Sequence, residues 1–322
     1  MSGAHVFIDR SQFPENVRRD LIQSLRAGAI NHKFHYESYK QAAKWLALHD
    51  AYSPARTDAS CLRIYDDAFA ATVRESNVAP MHLVGLGVGG GQKEARLAEL
   101  FRVQSKQLVV TVSDVSLPLV LVAREKLLGA VTSCHAAVFD LATVQNVSAV
   151  VDPNAHDLPR IVTLFGIMPN FEPAPLLARL GALLRPNDFL LLSANLAPGS
   201  DYAAGVESIL PQYDNALTRD WLVTLLFDLG FSADDGDLRF SIEVDGDQLR
   251  RITAHFELRR ACDIHVLGEK LSFTVGQRLR VFFSYRHTVG SVTALMAKHG
   301  IEAVQRWLND SGEEGVFLCR KR

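Results

Sequence analysis

Along most of the chain, short unbroken apolar runs alternate with stretches whose apolar residues recur every three or four positions. Met81-His82-Leu83-Val84-Gly85-Leu86, Gln107–Ser113, Cys134–Val138, Ile161–Gly166 and Phe189–Ser193 are runs of the first kind. Their length and β-branched content predict strands buried on both faces, as in a parallel sheet. Between them, Lys93–Arg102, Leu117–Leu128 and Pro175–Leu184 read as helices, so the order is strand, helix, strand, and the class is α/β. Upstream, Val17, Leu21 and Leu25, then Tyr36, Tyr39 and Ala43, give a helical pattern from Pro14 to about Leu48. A second helix, Cys61 to Glu75, closes with Asn77 and Pro80.

The period changes after Asn195. A helical stretch from Tyr213 to a glycine stop at Gly230 is followed by period-two material at Phe240–Val244, Arg251–Leu258, Cys262–Leu267 and Lys270–Val275. Asp-Gly and Gly-Glu turns separate these strands, which predicts an inserted helix with antiparallel hairpins. From Val289 the first style returns, with a helix to His299, a strand Ile301–Leu308, the turn Asn309–Gly312 and a strand Gly315–Cys319. The whole is read as a Rossmann-like α/β sheet with a terminal antiparallel hairpin, plus a smaller α+β unit.

Composition narrows the function classes. The 322 residues are 48% hydrophobic and 22% charged with a net charge of −2, and basic residues are scattered except for Arg320-Lys321-Arg322. That gives no electrostatic footprint for a nucleic acid. Cys61, Cys134, Cys262 and Cys319 lie far apart, which argues against a disulfide framework or a zinc knuckle and suits a reducing cytoplasm. His32 and His35 lack a third ligand nearby, so no metal is expected. The run Leu117–Ala123 is broken by Pro118, and Asp9, Arg10 and Glu15 stand where a signal peptide would be apolar. A cytoplasmic protein without a membrane span is expected.

The chemistry centres on Gly85-Leu86-Gly87-Val88-Gly89-Gly90-Gly91. Glycines between a buried strand and a helix let a ligand approach the backbone, and a nucleotide is the expected ligand. Gly85-x-Gly87-x-x-Gly90 fits the dinucleotide fingerprint, while Gly85-x-Gly87-x-Gly89 fits the loop of S-adenosylmethionine (SAM) enzymes with glycine at the acidic place. Asp114 ends the second strand, where an acid accepts hydrogen bonds from ribose hydroxyls; it also reads as the N-cap of the next helix. Asp140-Leu141 after the third strand fits a SAM fold, in which an acid and an apolar residue hold the adenine. Asn170 falls at the carboxyl edge of the sheet, where ligands bind. The terminal hairpin decides between the cofactors, because nicotinamide folds complete a second mononucleotide-binding half instead. SAM is favoured.

These residues resemble the SAM-dependent histidine α-N-methyltransferases of ergothioneine biosynthesis and their relatives acting on other amino acids. The likeness runs through nearly the whole chain, anchored on Lys33-Phe34-His35-Tyr36, Tyr52-Ser53-Pro54-Ala55-Arg56, Leu86 through Lys93, Asp114-Val115-Ser116, Phe139-Asp140, Gly166 through Asn170, Tyr213-Asp214-Asn215 and Phe283-Ser284-Tyr285-Arg286. It implies that Tyr52 covers the cofactor, Gly87 and Lys93 meet its methionine end, Asp114 takes the ribose, and Asp140 with Leu141 holds the adenine. It also implies that Asn170 and Tyr213 hold the carboxylate and amino end of an amino-acid substrate, with Tyr36 as the catalytic residue beside the reacting nitrogen. Residues 1–60 and 195–286 would form the substrate-binding lid, and 61–194 with 287–322 the SAM-binding domain.

The departures bear on the substrate. Where the family carries a Glu that grips the imidazole, two residues before Ser284, this chain has Phe282; a family Met in the same pocket corresponds to Ala254, and Gly85 stands where the family has an acid. Losing a polar partner for a hydrogen-bonding ring costs about 1–3 kcal/mol, so histidine is not the expected optimum. The expected activity is N-methylation of an amino acid or related small amine. A catalytically quiet SAM-binding or ligand-sensing protein and a nicotinamide-dependent oxidoreductase are the alternatives.

Overall fold

The computed structural model describes residues 3–76, 80–131, 133–151 and 158–322, so Asn77 in the helix stop lies outside them. In chain order a short strand β1 (Val6–Ile8) precedes the apolar runs, which form β2 (Met81–Leu86), β3 (Leu108–Asp114), β4 (Cys134–Val138), β5 (Arg160–Leu164) and β6 (Phe189–Asn195). The period-two region forms β7 (Gly236–Val244), β8 (Arg250–Leu258), β9 (Cys262–Val266), β10 (Glu269–Phe273) and β11 (Arg278–Arg286), and the tail gives β12 (Ile301–Leu308) and β13 (Glu314–Lys321).

One sheet has the order β1-β4-β3-β2-β5-β6-β13-β12. Its first six members are parallel, while β13 runs antiparallel to β6 and to β12. This is a Rossmann-like parallel sheet closed by a terminal antiparallel hairpin, as the sequence predicts. Side chains alternate between two cores: Leu83, Ile161 and Leu191 face one, and Val84, Val162 and Leu192 the other. That is why the strands read as unbroken apolar runs. Helices 59–75, 92–103 and 117–127 cover the first face, and helices 173–183 and 289–298 the second.

A three-stranded antiparallel sheet, β11-β8-β7, and the β9-β10 hairpin form the second unit. Its core joins residues distant in sequence: Leu21, Leu25 and Phe34 pack with Trp221, Leu225, Phe256 and Leu279. The first is on helix 14–27 and Trp221 on helix 216–228. Three features depart from the sequence reading. Val6–Ile8, within the stretch read as lid, pairs with β4 of the large sheet. A separate helix, 202–213, precedes the one read as starting at Tyr213, and Pro211 sits inside it. The third is β11, not read as a strand, which carries Phe282, Ser284 and Arg286. Among the described residues no helix is long and apolar enough to cross a membrane.

Candidate active site

The carboxyl ends of β2 to β5 open into a cavity of about 1270 Å³ that is roofed by the second unit. Two glycines set the floor. Gly87 (φ +63°) would place a Cβ 2.5 Å from Ile167 Cδ1, and Gly89 (φ +52°) would place one 2.5 Å from the indole of Trp45. Positive φ strains a side chain at both positions, and at Gly89 the rigid indole also leaves no room for one. Gly89 N–H donates to Asp114 Oδ2 and Ser116 N–H to Asp114 Oδ1, each at 3.0 Å. The N-cap of helix 117–127 is Ser116, whose Oγ accepts from Leu119 N–H, so Asp114 faces the cavity instead of capping the helix. Burial pushes its carboxyl up to about 6, against the lowering effect of the backbone amides.

Asp140 and Leu141 follow β4 and are buried on the cavity wall. Asp140 accepts from Ala142 N–H at 2.8 Å, and Lys33 Nζ lies 3.2 Å from its other oxygen. Lys33 also reaches Asp20, so one buried lysine ties the roof to this wall. Lys93 Nζ donates to Tyr65 Oη at 2.8 Å, and Tyr65 donates to Glu314. Tyr52 lines the rim and is exposed. The glycine floor, the buried acid after β3 and the acid and apolar residue after β4 fit a SAM molecule.

The opposite end of the cavity is aromatic. Tyr36 is flanked by Trp45 and Trp221 at ring distances of 5.8 and 5.4 Å. Burial and the Asp114 carboxylate push its phenol well above its usual value, so it stays a neutral phenol. Its backbone carbonyl accepts from Ser116 Oγ at 2.6 Å, which fixes Tyr36 between the two ends. Tyr213 Oη lies 2.8 Å from Ser284 Oγ and accepts from Arg286 Nη2 at 2.9 Å. With Arg286 donating into it, the Tyr213 proton is free to point at Ser284 or at a ligand. Asn170 donates from Nδ2 to Phe283 O at 2.7 Å. Phe282 lines the cavity with its ring 5.7 Å from Tyr213 and edge-on to His32. His32, lowered to about 3 by burial, is a neutral imidazole.

Eleven of the twelve residues singled out from sequence thus surround one cavity: Tyr36, Tyr52, Gly87, Lys93, Asp114, Asp140, Leu141, Asn170, Tyr213, Phe282 and Ser284. Ala254 does not. It is fully buried on the middle strand β8, paired with Phe282 on one side and Phe240 on the other. Cross-strand partners share a face, so those two rings cover it. Sequence reasoning gave no role to Lys33, Trp45, Trp221 or Arg286. Lys33 and Arg286 stand inside stretches that carry the resemblance, and their burial as charged residues needs the fold to be seen.

The sequence profile of histidine-specific, SAM-dependent methyltransferases matches residues 17–321. A search of curated proteins finds no match. Solved structures of similar shape include a SAM-dependent methyltransferase from Clostridium acetobutylicum ATCC 824, 11% identical with a TM-score of 0.47 over 87% of this chain and 98% of that one. Magnesium protoporphyrin IX methyltransferase from Synechocystis PCC 6803 with bound S-adenosylhomocysteine (SAH) is 12% identical, with a TM-score of 0.47 over 88% and 95%. The N-methyltransferase NodS from Bradyrhizobium japonicum WM9, in complex with SAH, is 10% identical, with a TM-score of 0.46 over 88% and 97%. Likenesses this distant add no weight to the reading of the site. The profile covers nearly the whole chain, and the chain belongs to the family of SAM-dependent, histidine-specific methyltransferases.

Proposed function

We propose that this methyltransferase acts on the α-amino group of an amino acid or related small amine, and that it prefers an apolar or aromatic side chain to the imidazole of histidine. Phe282 carries the reading. It puts an apolar ring on the cavity wall beside Tyr213, Trp221 and His32, at the place where the family resemblance calls for a carboxylate. Ser284 is already engaged with Tyr213 and brings no charge.

In this reading residues 61–194 and 287–322 hold the cofactor, and most of 1–60 with 195–286 holds the acceptor. Gly87 and Lys93 meet the methionine end, Asp114 accepts from the ribose, Asp140 and Leu141 hold the adenine, and Tyr52 closes the rim. SAM, when bound, supplies a methyl group on a sulfonium, which makes the donor electrophilic without a general acid. The protein's task is then to place a lone pair in line with that methyl. Tyr213 donates to the acceptor's carboxylate, Arg286 behind it sharpens that donor, and Asn170 meets the same end of the molecule. Tyr36 orients the amine by accepting an N–H bond at its phenol oxygen, which leaves the lone pair for the methyl, and the amine proton leaves to water. The rings of Tyr36, Tyr213 and Trp221 favour the positive charge that grows on the nitrogen.

Incubation with SAM and a panel of amino acids and small amines, read by mass spectrometry, tests this directly. A methyl gain on amines with apolar or aromatic side chains is expected, and methylation confined to oxygen or sulfur acceptors rejects the reading.

A further inference from the structure

Gly85 is the penultimate residue of β2, two residues before the glycine floor at Gly87, and the structure leaves it no side chain. A Cβ there would overlap Val88 Cγ1 and stand 3.3 Å from Glu94 Cγ and 3.5 Å from Thr163 Oγ1. The space beside Gly85 is already filled from the neighbouring helix, 92–103. Glu94 is 2% exposed, yet it lines the cavity. Thr163 Oγ1 donates to its Oε1 at 3.0 Å. The Glu94 backbone N–H also bonds the carboxylate; among the described residues no Lys, Arg or His forms an ion pair with it, and no other residue hydrogen-bonds to it.

The other buried acids at this end are engaged. Asp114 accepts from Gly89 and Ser116, Asp140 from Lys33 and Ala142, and Glu314 from Tyr65 and Cys61. A buried carboxylate on a cavity wall with no ion-pair partner calls for a cationic ligand group. The methionine end of SAM offers one, its α-ammonium, next to a carboxylate that Lys93 can face.

We propose that Glu94 receives the α-ammonium group of the cofactor's methionine end, supplying from the helix the carboxylate that position 85 lacks. Burial raises its carboxyl above the usual carboxylate range, a cost that a bound ammonium offsets. The Thr163 bond anchors the side chain through Oε1 where it lines the cavity. This inference rests on the cofactor and is independent of the acceptor reading.

Calorimetry on the full chain with two ligands tests it: SAH, and 5′-methylthioadenosine, which keeps the adenosine and sulfur but lacks the amino-acid end. Glu94→Gln keeps the shape and can still accept from Thr163. It is expected to weaken SAH roughly ten- to a hundredfold while methylthioadenosine changes by about twofold at most. Glu94→Asp, which retains the charge, loses less SAH affinity than Glu94→Gln. Equal loss of both ligands assigns Glu94 a structural role and overturns the proposal, as does unchanged SAH binding. A wild-type protein that binds neither ligand overturns it together with the cofactor assignment.

Discussion

The two ends of the cavity are built from different materials. At the cofactor end, polar groups stand at the end of β3 and just after β4, and each is fixed by backbone amides or by a buried partner: Asp114 by Gly89 and Ser116, Asp140 by Ala142 and Lys33. At the acceptor end, rings from helix 39–52, helix 216–228 and β11 converge, and a single polar chain, Arg286 to Tyr213 to Ser284, threads between them. The first end is set by local chain geometry. The second is assembled from segments some two hundred residues apart, so on the proposed reading one substitution on β11 is expected to change what it accepts without disturbing the cofactor.

That contrast can be broken by substitutions that ought to affect one end alone. The largest expected effect is at Asp114. Asp114→Asn removes the charged group proposed to accept from the ribose hydroxyls, and SAH affinity measured by calorimetry should fall roughly a hundredfold. The wild-type protein should show the same dependence through pH. Asp114 ionises at about 6 in the folded protein, above its ordinary 3.8. Its ionisation therefore costs folded-state stability above that value, and the cost vanishes below the ordinary one. For the ligand the sign is opposite: protons compete with the ribose, so SAH binding weakens as pH falls through about 6, and Asp114→Asn should flatten that slope.

A smaller effect is expected at Tyr213. Tyr213→Phe removes the hydroxyl between Arg286 and Ser284, which should raise the acceptor KM about tenfold and leave SAH affinity within about twofold. Equal losses in both would mean that the two ends are not separable.

How much could be read from sequence follows the same division. The glycine loop, Asp114 and Asp140-Leu141 are legible because a strand end, a turn and an acid are adjacent in the chain. The alternation that gave β2 to β6 is local as well. On β11 the period fails: Arg280 to Phe282 carries an irregularity in register, and Phe282, Tyr285 and Arg286 are buried on both faces of the strand. Helix 202–213 is obscured by Gly205 and Pro211, residues that read as loop. β1 is three residues long, too short to show a period. The roles of Tyr36, Tyr213 and Ser284 follow from the resemblance, since no local pattern assigns a role to any of them. Ala254 was misplaced because strand pairing, which lets Phe240 and Phe282 cover it, is invisible from one strand alone.

The position that separates the two ends most sharply is Phe282. The direct measurement is the kcat/KM of wild type and Phe282→Glu for histidine and for an aromatic amino acid, with SAH affinity measured alongside. The account predicts that wild type favours the aromatic amino acid, that Phe282→Glu shifts the ratio toward histidine by roughly tenfold or more, and that SAH binding is unchanged. A wild type that already favours histidine, or a substitution that leaves the ratio where it was, contradicts it.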